Sequence, residues 1–377
     1  MEFVGRPVTV GPFTVFFDSN DVAVVERWNA LYRGFPDAHT AGEPLNVSVD
    51  RRPDGDLQSR VNGTVVLEGP DPAAHELAIT RVLNHRKLDA ESDLVHLHAA
   101  SVARGSEAIV LGGRSGDGKS TLTAKLLQAG WLYVTDEQVT FSKGTTSIVP
   151  YPRPLTLRQA VWHLFDGVDG ARRSNDYHRV ETTLEQLGAA AAQDAVEPVL
   201  LLAPQYRGAE PNALLPFAHR AEVVTFLVSC CHDVDRLGVH ALSLLVDLAS
   251  RCSARRLHFS DVDAAAVLVS EAFADASSRL AVPYRRLTRR ASTARASGWV
   301  LAGDSVAWCF EDGTGVAYRP GTRQFAQLDA IGAAVWEILT EPTTAGSILA
   351  DTPDTHTALA VEQWLEQFVS AGFVERS

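Results

Sequence analysis

Residues Gly113, Arg114, Ser115, Gly116, Asp117, Gly118, Lys119 and Ser120 spell G-x-x-x-x-G-K-[ST], the spacing of a phosphate-binding loop. The glycines allow successive backbone N–H groups to approach phosphate oxygens with no Cβ in the way, and a helix opening at the end of the loop adds partial positive charge. In such a loop Lys119 reaches the β- and γ-phosphates of a nucleoside triphosphate, and the Ser120 hydroxyl ligates Mg²⁺. Gly113 to Thr121 are therefore the candidate nucleotide-binding residues, with ATP and Mg²⁺ as the implied ligands.

Phosphoryl transfer also needs carboxylates for the metal and for the acceptor proton. Asp136-Glu137 ends the apolar run that follows the loop and its helix, and ligands of open α/β sheets gather at such strand ends. With Ser120 they form the candidate metal ligands, and with Lys119 the candidate catalytic residues; the spacing does not say which acid holds the metal and which takes the proton. Two adjacent acids near a cation can divide that work, because repulsion raises one pKa while the cation keeps the other group ionised. Ahead of the loop, His96 and His98 share one face of an alternating strand, too few ligands for a zinc site.

The elements that must position these groups are legible. Ala108-Ile109-Val110-Leu111 has the length and branching of a buried strand, and Thr121 to Leu127 has helical spacing, so the motif sits in strand, loop, helix order. Trp131 to Val134 reads as the next strand, Pro198 to Pro204 as another, with helices from Arg220 to Ser229 and from Gly238 to Cys252. Alternating strands and helices indicate an α/β core. Residues 1–90 read as a small mixed region of strands, including Val8-Thr9-Val10 and Phe13 to Phe17 about a Gly11-Pro12 turn, with a helix from Ala73 to Lys87. From Tyr284 to Ser297 the chain carries Arg285, Arg286, Arg289, Arg290 and Arg295 without apolar periodicity, the pattern of a linker. Beyond it, a hairpin about Glu311 to Thr314, helical stripes over Leu328 to Leu339 and Val361 to Val369, and a short terminal strand at Gly372-Phe373-Val374 make a unit of winged-helix size.

Composition bounds the class. The chain has 377 residues, more than one core usually serves, with 46% hydrophobic and 21% charged residues. A net charge of −12 argues against nucleic-acid or membrane-surface binding, which rests on Lys and Arg neutralising phosphates. Cys230, Cys231, Cys252 and Cys309 have no C-x-x-C spacing, and no secretory signal or membrane-spanning run is visible, so a cytoplasmic protein with reduced thiols is expected.

From His98 through Glu137 the chain resembles the catalytic core of the HPr kinase/phosphorylase family, in which a His-bearing strand, G-x-S-G-x-G-K-S and a strand ending in paired acids follow one another. The resemblance implies an α/β P-loop kinase core of the HPr kinase type and a place for His98 beside the acids. The main branch of the family has Asp-Asp, so Glu137 departs from it; the Arg-Gly-Leu-Gly signature tied to phosphorylase activity is missing, and dephosphorylation is not expected. Pro150 to Arg158 resembles a proline-arginine segment of HPr-kinase-related proteins, where Arg153 and Arg158 would contact phosphates or the acceptor. Family kinases form rings, which implies a homo-oligomer.

Residues 298–377 resemble the PqqD-like peptide-recognition domain, on Leu328 to Leu339, Val361 to Val369 and the Gly372-Phe373-Val374 ending. Such domains hold the leader of a ribosomally made precursor peptide by adding it to a sheet edge. The expected organisation is a mixed N-terminal region (1–90), a kinase domain (91–280), an arginine-rich linker (281–297) and a winged-helix-like peptide-binding domain (298–377). The expected activity is ATP-dependent phosphorylation of a Ser or Thr hydroxyl on a precursor peptide. A small-molecule kinase and a nucleotide-gated peptide adaptor are the alternatives.

Overall fold

A computed structural model of the chain describes residues 2–35, 42–165, 168, 179–277, 280–290, 298–350, 352 and 354–376. The chain is mixed α/β, and its contacts divide it into two compact units, one of residues 1–215 with 255–277, the other of 216–254 with 278–377.

The first unit opens with a six-stranded sheet in the order Phe3–Val4, Phe13–Ser19, Glu43–Arg51, Leu57–Val61 and Thr64–Gly69, with Val8–Val10 also paired to Phe13–Ser19. The turn between its last two strands is Asn62-Gly63, both at positive φ (48° and 78°), the conformation that suits the twist of a two-residue hairpin. Helices Val22–Leu31 and Pro72–Ala90 cover it, capped by Asp21 and Asp71, whose carboxylates accept from the N–H groups of the first turn. Trp28 of the first helix stacks on Phe17 of the sheet, ring centroids 4.2 Å apart.

A second sheet carries the chemistry-bearing residues. Its order is Ile148–Val149, Gln138–Phe141, His96–Arg104, Glu107–Gly112, Glu197–Tyr206, Ser253–Phe259 and Ala213–Pro216, with Leu132–Thr135 also on His96–Arg104. Glu107–Gly112 runs antiparallel to His96–Arg104 and parallel to Glu197–Tyr206. It is apolar and buried at Ala108 to Leu111, as a strand flanked on both sides should be. The glycine loop follows it, then the helix Lys119–Gln128, whose Leu122, Ala124, Leu126 and Leu127 are fully buried. Pro198 is taken into its strand at a register shift, where the ladder tolerates a missing donor.

The second unit contains helices Arg220–Cys230, Val234–Leu237 and Val239–Arg251, and a four-stranded antiparallel sheet in the order Tyr284–Thr288, Val306–Phe310, Gly315–Arg319, Gln324–Leu328. Helices Ala330–Ile338, Ala345–Ala350 and Thr355–Ser370 follow, and Val374–Arg376 pairs with Trp299–Leu301. Trp336, Phe368 and Phe373 meet edge to face in its core, centroids 5.3 to 6.2 Å apart.

Two segments differ from the sequence reading. Tyr284–Thr288, read as linker, is a strand paired residue for residue with Val306–Phe310. Its arginines are accommodated at a sheet edge: Arg285 forms an ion pair with Glu337, and the Arg286 guanidinium lies 6.0 Å from the Trp308 ring. Leu328, read as the first residue of a helical stripe, ends the strand Gln324–Leu328, and the helix begins at Ala330 behind an Asp329 cap. Arg295 and the rest of 291–297 lie outside the described residues. Among the described residues no helix is long and apolar enough to cross a membrane.

Candidate active site

The phosphate loop takes its shape from glycine. Gly116 and Gly118 stand at φ 101° and 93°, which side-chain-bearing residues rarely adopt. A Cβ on Gly118 would come within 2.5 Å of the Phe259 ring, so the ring closes one side of the loop only because that atom is missing. Asp117 ties the loop to itself and to the neighbouring strand: its carboxylate accepts from the Arg114 N–H at 2.6 Å, and its carbonyl accepts from the Tyr206 N–H at 3.2 Å. Arg114, Ser115 and Gly116 are left exposed at the crest. Lys119, first residue of the helix, is 7% exposed and turns its ammonium back into the loop, donating to the Gly113 carbonyl at 2.6 Å and the Arg114 carbonyl at 3.1 Å. Thr121 sits half-buried in the first turn.

Ser120, one residue on, points toward the acids. Its hydroxyl lies 3.3 Å from Asp136 Oδ2, which brings the loop and the end of the strand Leu132–Thr135 into one site. Asp136 is 3% exposed, whereas the Glu137 side chain is 39% exposed and meets His98 Nδ1 at 3.2 Å. The two adjacent acids therefore face different surroundings. Burial pushes Asp136 up to about 7; Arg153 opposes the rise and the neighbouring Glu137 adds to it. Burial also disfavours ionised Glu137, but the bond to His98 and the charge of Arg153 outweigh it and hold that carboxyl at about 2. His96 and His98 follow the same alternation yet serve different partners, since the buried His96 lies 3.3 Å from Glu91, which pairs with Lys87.

Arg153 is the hub beneath the acids. Its Nη2 stands 3.6 Å from both Asp136 Oδ2 and Glu137 Oε2, and 3.5 Å from the Thr156 hydroxyl. That hydroxyl donates in turn to Glu181 at 3.2 Å. Glu181 is a third buried carboxylate that the sequence reading did not single out; burial pushes it up to about 7 against the pull of Arg153. Nothing local marks it, for it stands 28 residues from Arg153 in the short strand Arg179–Thr182, and it arrives because that strand pairs with Leu155–Arg158. Arg158, at the other end of the same proline-arginine segment, leaves the acids alone and donates to the Ser115 hydroxyl of the loop at 3.0 Å.

Several buried polar atoms here have no hydrogen-bond partner among the described residues: Asp136 Oδ1, Arg153 Nε, Glu181 Oε1, Thr135 Oγ1 and the Tyr133 hydroxyl. A native interior leaves few such atoms, and a cluster of them marks a place that water, an ion or a ligand completes. The donor set fits Mg²⁺: a hydroxyl and a carboxylate with one oxygen unengaged would share the cation with phosphate oxygens and water, the ligation Mg²⁺ prefers over an all-protein cage. Among the described residues no group of three or more His, Cys, Asp or Glu is placed to hold a metal ion.

No protein-family model matches the chain, and no curated protein matches its sequence.

Proposed function

We propose that the chain is an ATP-dependent kinase that phosphorylates a Ser or Thr hydroxyl of a ribosomally made precursor peptide, with residues 298–377 binding the leader. The observation that carries the kinase reading is the 3.3 Å approach of the Ser120 hydroxyl to Asp136, which joins a phosphate loop to a pair of acids. A nucleotide-binding adaptor also brings a loop hydroxyl and one acid to Mg²⁺; a second acid beside a histidine, as Glu137 is beside His98, is what group transfer adds.

In this reading Lys119 exchanges its two loop carbonyls for the β- and γ-phosphates, a swing of one flexible side chain. Ser120 and Asp136 hold Mg²⁺, which when bound offsets the charge on the phosphate oxygens. Glu137 and His98 face the acceptor. The acceptor oxygen forms a bond to the γ-phosphorus, the bond from that phosphorus to the β-phosphate oxygen breaks with its electron pair leaving on ADP, and the hydroxyl proton passes to the His98–Glu137 pair. Glu137, held ionised, fixes the imidazole and stabilises the cation it becomes.

The peptide reading draws support from the second unit. Gln324–Leu328 is an edge strand, paired with Gly315–Arg319 and with no other strand among the described residues, so its far side is available for strand addition.

The test is incubation of the full chain with γ-labelled ATP, Mg²⁺ and a precursor peptide encoded beside its gene. The expected result is label on a Ser or Thr of the peptide, lost in Lys119→Ala and Asp136→Asn. Nucleotide binding without label transfer to peptide, or to any hydroxyl compound in its place, would overturn the kinase reading.

A further inference from the structure

The segment Pro150 to Arg158 sends two arginines toward the site, and their surroundings differ in kind. Arg153 is buried among carboxylates, with its Nη2 between Asp136 and Glu137. Arg158 is exposed, ends the strand Leu155–Arg158, and makes no ion pair among the described residues. Along the strand Leu155 and Leu157 are buried, and Thr156 and Arg158 share the other face, Thr156 against Arg153 and Glu181, and Arg158 at the exposed end.

That face meets the loop. Arg158 Nη2 donates to the Ser115 hydroxyl at 3.0 Å, and its Nη1 lies 3.9 Å from the position a Cβ on Gly116 would take. The guanidinium therefore stands over the exposed crest while the Lys119 ammonium lies inside the loop against Gly113 and Arg114. Two cations from different elements flank one four-residue stretch, and both are bonded there only to neutral oxygens. In the strand ladder, Arg158 stands directly opposite Arg179, a cross-strand pairing of like charges that costs stability. Positive charge gathered at this point, where Lys119 also feels Asp136 and Glu137 and Arg158 has no ion pair among the described residues, suits an anion that arrives from solution. Since Lys119 is the group that straddles the β- and γ-phosphates, the end of the loop it occupies is the γ end, and Arg158 is at that end.

We propose that Arg158 binds the terminal phosphoryl group of the nucleotide, leaving Ser115 to do so, and acts from within the chain as the arginine that distinguishes triphosphate from diphosphate and stabilises transfer. This rests on the phosphotransferase reading above. During transfer the new bond forms between the acceptor oxygen and the γ-phosphorus, the bond to the β-phosphate oxygen breaks with its electron pair leaving on ADP, and the proton passes to the His98–Glu137 pair. Arg158 neither gains nor loses a proton; its planar fork offers paired donors to two phosphoryl oxygens as charge spreads over them.

The test is equilibrium binding to the full chain, by titration calorimetry with Mg²⁺, of a non-hydrolysable ATP analogue and of ADP, which needs no knowledge of the acceptor. Arg158→Ala is expected to weaken the triphosphate analogue at least tenfold and ADP less than twofold, and Arg158→Lys to recover part of the loss because a point charge replaces a fork. Lys119→Ala is expected to weaken both. Because Arg158 is exposed, circular dichroism and the unfolding midpoint should match the parent chain. An unchanged ratio of triphosphate to diphosphate affinity in Arg158→Ala, with Lys119→Ala still weakening both, would reduce Arg158 to a brace on the loop and overturn the proposal while sparing the nucleotide reading. Nucleotide binding indifferent to Lys119→Ala would overturn both.

Discussion

The two compact units differ in where they gather buried charge. Around the phosphate loop the first unit buries Lys119, Asp136, Arg153 and Glu181 and leaves several of their polar atoms without a partner. In the second unit Arg289–Glu375, Arg290–Glu341 and Arg319–Asp304 are ion pairs with partly or largely exposed side chains, while Asp233, paired with Arg236, and Arg220, bonded to backbone carbonyls, are buried. Surface pairs contribute about 0–1 kcal/mol each, whereas removing one partner from a buried set leaves desolvated charge worth several times that. A region that gains little from its charges can lose them; one that is costly to maintain is kept for what it does. In the proposed reading the chemistry falls to the first unit, and the second contributes packing and an open sheet edge.

The strongest way to break this contrast is Lys119→Ala, expected to lower phosphoryl transfer by about 10³-fold while moving the unfolding free energy by about 1 kcal/mol, since it surrenders two hydrogen bonds and no carboxylate partner. Transfer assays and urea unfolding on the same preparation check both halves. Next, Arg153→Met should cost about 3–5 kcal/mol by stranding Asp136, Glu137 and Glu181, against about 1 kcal/mol or less for Arg290→Ala in the second unit. Equal costs by urea unfolding would erase the distinction between the units.

Asp136→Asn sharpens it through pH. The folded-state pKa is raised from 3.8 to about 7, so the folded chain holds a proton that the unfolded chain releases. Stability from this group is complete below about 4, falls as pH rises toward 7, and stays low above it. Metal-free Asp136→Asn should therefore match the parent at pH 4 and exceed it at pH 8, by up to about 4 kcal/mol. A variant that gains stability while losing transfer is the mark of a site maintained at the expense of the fold. A gap that shrinks with rising pH would reverse the assignment of Asp136 as the buried, strained acid.

The smallest expected effect falls on the second unit: a precursor lacking its leader should be phosphorylated with kcat/KM lowered by about 10²-fold through lost effective concentration, with kcat little changed at saturation. Trimming the peptide is a cleaner probe than trimming the enzyme, because the strand Tyr284–Thr288 and the helices Arg220–Cys230 and Val239–Arg251 fall in the same compact unit as residues 298–377.

Local pattern made much of this legible. The strand before the loop, the helix after it, the acids ending the next strand and the stripes in Ala330–Ile338 and Thr355–Ser370 are each written in consecutive residues. What stayed hidden depends on pairing. Glu181 reaches Arg153 only through the ladder joining Arg179–Thr182 to Leu155–Arg158. Arg153 and Arg158 look alike as letters, yet one is buried under the acids and the other, five residues on, stands on the loop. Tyr284–Thr288 lacks the apolar alternation of a strand because it is an edge, where Arg285 and Arg286 find Glu337 and the Trp308 ring instead of a core.

The central claim is that a terminal phosphate held by Lys119 lies within reach of Asp136 and Glu137. A crystal structure of the full chain with Mg²⁺ and a non-hydrolysable ATP analogue tests it most directly. The account predicts the γ-phosphate against the Lys119 ammonium, with the cation between it, Ser120 and Asp136, and Glu137 opening toward the acceptor. A nucleotide bound elsewhere, or a loop in which Lys119 keeps its carbonyl partners and the acids stay remote from every phosphate, would contradict it.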